Sequence, residues 1–130
     1  KAPIAFGRGS IANRRVDGYS KGMRQRLGFA QALLGKPRIL FLDEPTNGVD
    51  PVSRRDFWNI LYDLLKEKVT IFCSTSYLDE AERCRRVGLL HKGKLLRCDS
   101  PEKIKKECNA KTLEEAFIII IKEYEREEPK

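Results

Sequence analysis

R-I-L-F-L-D-E-P-T-N-G-V-D, residues 38–50, is the stretch on which the reading of the whole chain turns. Residues 39–42 form an unbroken apolar run between Pro37 and Pro45, closed by Asp43 and Glu44. A short, continuously apolar run bounded by breakers reads as a strand buried on both faces, as in a parallel sheet. Two adjacent carboxylates at its carboxyl end stand where open α/β sheets place their ligands. Asp43 is suited to hold Mg²⁺ directly or through water, and Glu44 to orient or deprotonate an attacking water. The same string fits a plain strand ending in a solvated acidic turn, so the flanking sequence has to decide.

Composition narrows the field. The chain has 130 residues, 41% hydrophobic and 35% charged, which describes one globular domain with room for a real core. No apolar run approaches the ~20 residues that a membrane-spanning helix needs; the longest covers residues 116–121. Residue 1 is Lys and no charged-then-apolar leader follows, so a piece of a longer protein is expected. A net charge of +7 permits attraction to nucleic acid or to an anionic membrane face and proves neither. Cys73, Cys84, Cys98 and Cys108 are widely spaced without a C-x-x-C pair, so they read as reduced thiols and no zinc site is expected.

Residues 1–18 show no sustained period and are punctuated by Pro3, Gly7, Gly9 and Gly18, which reads as loop with at most a short helical turn. From Ser20 the pattern firms up. Met23, Leu27, Ala30 and Leu34 recur at helical spacing, with Ser20 as N-cap and Gly35-Lys36-Pro37 as the stop. A helix start of that kind presents free backbone N–H groups and attracts phosphate.

Beyond the opening stretch, Asp50 caps a second helix with Pro51 at its first position. Phe57, Ile60, Leu61, Leu64 and Leu65 make its apolar stripe, with Trp58 and Tyr62 beside it as packing residues. Residues 69–74, V-T-I-F-C-S, form a second buried strand, giving a βαβ unit with parallel pairing. Ser74-Thr75-Ser76-Tyr77-Leu78-Asp79-Glu80-Ala81 leads into a short helix, for which Ser76 is a possible N-cap. Residues 86–90 and 94–98 read as strands of a hairpin turning at His91-Lys92-Gly93-Lys94. Residues 88–94 fit G-x-x-x-x-G-K, yet Leu95 supplies no oxygen for Mg²⁺ and the context is hairpin, so a phosphate loop is rejected. Ser100-Pro101 opens a helix to about Asn109; Thr112 and Glu115 form a capping box for a last helix. Leu113, Ala116, Phe117, Ile120 and Ile121 line one face of that helix, which gives way to a charged tail over residues 122–130.

These motifs carry a resemblance. Tyr19-Ser20-Lys21-Gly22-Met23 resembles the signature motif of ABC-type ATPases, usually L-S-G-G-Q; residues 39–45 resemble the Walker B strand, and Thr46-Asn47-Gly48-Val49-Asp50 the D-loop. Their order and spacing are far more specific than any one of them, and the resemblance covers roughly residues 16–121. It is nearest to the drug- or polymer-export type of transporter ATPase. It implies an α/β, P-loop NTPase-like ABC ATPase domain, incomplete, with a mostly parallel sheet, flanking helices and the Walker A half missing. Residues 1–37 would end the helical subdomain, residues 38–98 form the catalytic core, and residues 99–130 a C-terminal helical tail.

The resemblance further implies ATP and Mg²⁺ as cofactors. Asp43 would help coordinate the metal and Glu44 polarise the attacking water; Ser20, Lys21, Gly22 and Met23 would meet the γ-phosphate of ATP bound to a second nucleotide-binding domain in a head-to-tail dimer. Asp50 would cross that dimer interface. Ser76 stands where most members carry a switch histidine; a serine hydroxyl is shorter and does not titrate near neutrality, so hydrolysis at this site is expected to be impaired. The remaining expected partners are the missing N-terminal half of the domain and transmembrane permease subunits, at the cytoplasmic face of the membrane; nucleic acid is not expected. Two other classes stay open: a nucleic-acid- or ribosome-associated ABC ATPase, and a non-catalytic remnant or interaction module. Without the strand that leads to Walker A, the apolar strands at residues 69–74 and 86–90 would each keep an open edge.

Overall fold

The computed structural model describes residues 15–18 and 20–127. The loop reading of residues 1–14, Tyr19 of the signature-like motif and the last three residues of the charged tail lie outside the described residues. The chain divides into two compact units, the first ending at Ser74 and the second beginning at Thr75.

In the first unit, α1 (Lys21–Leu33) starts at its expected cap: Ser20 Oγ accepts the Met23 N–H at 3.2 Å. The face it buries is not the expected one. Phe29 is the buried residue, while Leu27 and Leu34 are exposed. Phe29 wins because it meets an aromatic partner, Phe57, edge-on at 5.0 Å between ring centroids. β1 (Ile39–Asp43) and β2 (Thr70–Ser74) pair in parallel, in register from Ile39↔Thr70 to Asp43↔Ser74, with α2 (Pro51–Lys66) crossing between them. That is the expected βαβ unit. Asp50 caps α2, accepting the Ser53 N–H at 2.9 Å, with Pro51 in the first turn. The buried stripe of α2 is Trp58, Leu61 and Leu64, turned toward Trp58 relative to the expected one and leaving Leu65 exposed.

The expectation that β1 is buried on both faces fails. Leu40 is buried at 3% exposure, whereas Ile39 and Phe41 on the opposite face are 56% and 73% exposed. On the neighbouring strand Phe72 is 69% exposed and lies 5.8 Å from Phe41, centroid to centroid. Side chains of a strand alternate between faces, so Ile39, Phe41 and Phe72 share the face opposite Leu40, and these residues are exposed.

In the second unit, α3 (Leu78–Ala81) is followed by the antiparallel hairpin of β3 (Val87–His91) and β4 (Lys94–Asp99) and by α4 (Pro101–Glu107) and α5 (Leu113–Glu127). Lys92 and Gly93 both take positive φ, the two-residue turn that suits the twist of a hairpin. The G-x-x-x-x-G-K string is therefore a hairpin, and Lys94 Nζ sits 5.1 Å over the Tyr124 ring. The core gathers Val87, Leu89, Ile104, Leu113, Ala116 and Ile120. Ser100 caps α4. Thr112 Oγ1 accepts the Glu115 N–H at 3.1 Å, while Glu115 reaches back to the Lys111 N–H, one residue before the expected cap. α5 continues through Glu127 and absorbs most of the expected tail. The described strands thus form two separate pairs, one parallel and one antiparallel.

Candidate functional site

The first unit collects most of the residues singled out by sequence around the carboxyl end of β1. Asp43 ends the strand and is exposed; Glu44, half-buried, follows with φ +45°. A non-glycine residue there is strained by about 1–3 kcal/mol and is kept only where surrounding bonds over-determine it. Those bonds are present. The Glu44 N–H reaches both the carbonyl oxygen and Oγ of Ser74, at 3.2 and 3.0 Å, and the Glu44 carbonyl accepts the Asn47 N–H at 3.2 Å. Ser74 Oγ in turn donates to Asp43 Oδ1 at 2.5 Å. Sequence reading passed over Ser74; the signal was its place opposite Asp43 once the two strands are aligned in parallel.

The turn after the carboxylates is tied to α1. Gln25 Nε2 donates to the Asn47 carbonyl at 3.1 Å, and Arg26 Nη2 donates to Ser53 Oγ at 2.7 Å. The end of the Lys21 side chain lies against Gly48, so close that a Cβ at that position would stand 2.9 Å from Nζ. Gly48 has φ +72°, a conformation that glycine adopts without cost. Ser20, Lys21, Gly22 and Met23, at the start of α1, thus belong to the same unit as Asp43, Glu44 and Asp50. A cleft of about 240 Å³ is lined by Gly22, Gln25, Phe29, Phe41, Asp43 and Thr46 among others. The hydrogen bond from the Ser53 N–H holds the Asp50 carboxyl below its usual range, as for an anion at a helix start.

Ser76 lies in the second unit and is exposed. The expectation that it caps the following helix is corrected. Tyr77 occupies the N-cap position of α3 without a side-chain bond, and Thr75 does the local work, accepting the Tyr77 N–H at 3.0 Å and donating to Glu80 Oε2 at 3.2 Å. Glu80 is itself buried, at 2% exposure.

No group of three or more His, Cys, Asp or Glu among the described residues could hold a metal by itself. Mg²⁺ needs no such group, because that ion commonly takes one or two carboxylates and completes its shell with water and substrate phosphate. An exposed Asp43 at a strand end, with one oxygen already fixed by Ser74, fits such a partial donor set.

Residues 2–47, which include α1 and β1, match the family described as ABC transporter. The chain is 42% identical over 128 residues to the probable multidrug ABC transporter ATP-binding protein YbhF of Escherichia coli, covering 95% of this chain and 22% of that one. The chain is thus similar, over nearly its whole length, to ABC transporter ATP-binding proteins. It is also 48% identical over 83 residues to the bacitracin transport ATP-binding protein BcrA of Bacillus licheniformis, covering 62% of this chain and 27% of that protein. A solved structure of the ATP binding subunit of an ABC transporter superposes with a TM-score of 0.73 at 26% identity, covering 81% of this chain and 45% of that one. The fold is that of a partial P-loop ABC ATPase, and the chain spans between about a fifth and just over a quarter of the length of these two curated relatives. Within the family match lie both the Ser20–Met23 helix start and the Asp43-Glu44 pair. No described helix is long and apolar enough to cross a membrane.

Proposed function

We propose that this chain is part of the ATP-binding subunit of an ABC exporter, contributing the signature helix, Walker B strand, D-loop and switch segment. The carrying observation is the joint placement of the Asp43-Glu44 pair at the carboxyl end of a parallel strand and of the capped α1 helix bonded to the turn that follows it. Relatives named for multidrug and bacitracin transport support the export class.

In this reading Asp43 holds Mg²⁺, which when bound neutralises phosphate charge, and Glu44 orients the attacking water. The start of α1, from Ser20 to Met23, offers backbone N–H groups, and Lys21 a positive charge, to the γ-phosphate of ATP held by a second ATP-binding domain. Asp50 lies at the interface of that head-to-tail dimer. Ser76 takes the switch position and makes hydrolysis at this site slow, so the chain completes its partner's site better than its own. A phosphate-binding segment and membrane permease subunits complete the assembly, with the ATP-binding subunits at the cytoplasmic face of the membrane. The open face formed by Ile39, Phe41 and Phe72 supports the need for a further layer.

Mg-ATP turnover tests this. The chain by itself is expected to show none above its Glu44→Gln variant. Joined to the phosphate-binding segment of the Escherichia coli relative, it is expected to hydrolyse ATP slowly, faster with Ser76→His and not at all with Glu44→Gln. In the joined protein, turnover indifferent to Glu44 would reject the assignment.

A further inference from the structure

We propose that Ser74 is a positioning residue for the carboxylate pair, a role that rests on the reading of Asp43 as a metal ligand. A serine hydroxyl has one proton to donate and two lone pairs to accept with. Here it uses both capacities on adjacent acidic residues, donating to Asp43 Oδ1 at 2.5 Å and accepting the Glu44 N–H at 3.0 Å. The first is a short, charge-assisted bond of the strong kind. It commits Oδ1 and leaves Oδ2 as the Asp43 oxygen available to a cation. The second, shared with the Ser74 carbonyl, holds the Glu44 backbone in its left-handed conformation. The parallel register makes this possible, since Asp43 and Ser74 are direct partners at the last rung of the pair. One hydroxyl therefore sets both the rotamer of the first carboxylate and the backbone turn that carries the second. A hydroxyl that merely closed the strand end would bond the Glu44 amide and leave Asp43 alone.

The test uses the whole chain, ¹⁵N-labelled, with Mn²⁺ alone as the probe and amide exchange as a second readout. In the parent, Mn²⁺ should broaden the amides of Asp43 and Glu44, and Asp43→Asn should remove that effect. Ser74→Ala should weaken the Mn²⁺ effect by about 10-fold or more, the usual cost of losing a residue that orients a metal ligand, and Ser74→Thr should stay within about threefold of the parent. Glu44 amide exchange should accelerate in Ser74→Ala and not in Ser74→Thr, with the Leu40 amide unchanged in both as proof of an intact strand. Mn²⁺ broadening equal in parent and Ser74→Ala, yet lost in Asp43→Asn, would overturn the positioning role while keeping the metal site. Mn²⁺ effects that ignore Asp43→Asn would instead overturn the metal reading, and the proposal with it.

Discussion

Replacing Ile120 by alanine should destabilise the second unit far more than replacing Ile118, although both lie on α5 two residues apart. Ile120 is 2% exposed in the cluster of Val87, Leu89, Ile104, Leu113 and Ala116, while Ile118 is 46% exposed. The gain in helix propensity on going from Ile to Ala, a few tenths of a kcal/mol, is common to both sites, and so is the change in the unfolded chain. What differs is burial. A buried Ile→Ala loses its transfer energy and leaves a cavity, about 2–5 kcal/mol. A half-exposed isoleucine forfeits roughly 1 kcal/mol. The expected difference is therefore about 1–4 kcal/mol, in a unit of roughly 55 residues whose whole stability is about 3–8 kcal/mol. At a urea slope of about 2 kcal/mol per molar, the midpoints should separate by about 0.5–2 M. Urea titration followed by far-UV circular dichroism reads the midpoint, and amide exchange on α5 assigns it to this unit. Equal midpoints would refute the packing described for α5, because the same substitution would then cost the same on its inner and outer faces.

The open sheet face should make the chain self-associate, and Phe41→Ser with Phe72→Ser should reduce that; a parent already monomeric by sedimentation at its highest soluble concentration would contradict the prediction. Gly48→Ala should cost about 1–2 kcal/mol, because an L-residue resists the left-handed conformation, and adding Lys21→Ala should recover little of it; full recovery of the melting temperature would place the cost in the Lys21 contact instead. The Asp50 carboxyl has a folded pKa below its unfolded value, so its stabilising effect is present above the unfolded value and disappears as pH falls through the folded one. Between about pH 5 and pH 3 the melting temperature should therefore fall less steeply in Asp50→Asn, which keeps a capping oxygen without a titrating proton; equal slopes would assign the acid limb to other carboxylates.

Local chemistry was legible in the residues alone. Ser20, Asp50-Pro51, Ser100-Pro101 and Thr112 mark helix starts because a cap is settled within three or four residues of chain. The Lys92-Gly93 turn is equally local, and the apolar run ending in Asp43-Glu44 announced both the βαβ unit and the candidate site. Tertiary structure decided what depends on neighbours distant in sequence. Phe29 rather than Leu27 or Leu34 became the inner face of α1, because burial follows what packs opposite and Phe57 is there. β1 reads as buried on both sides, yet hydrophobicity states only a preference for burial and cannot supply the covering layer. Thr75 and not Ser76 serves the turn before α3, since its hydroxyl can also reach the buried Glu80. Ser74 stands 31 residues from Asp43, and only the parallel register makes them partners. The amino-acid sequence thus determined the elements, the caps of every helix but α3, and the acidic pair; the faces they bury and the hydroxyl that aligns the carboxylates arise from long-range packing, which no local pattern encodes.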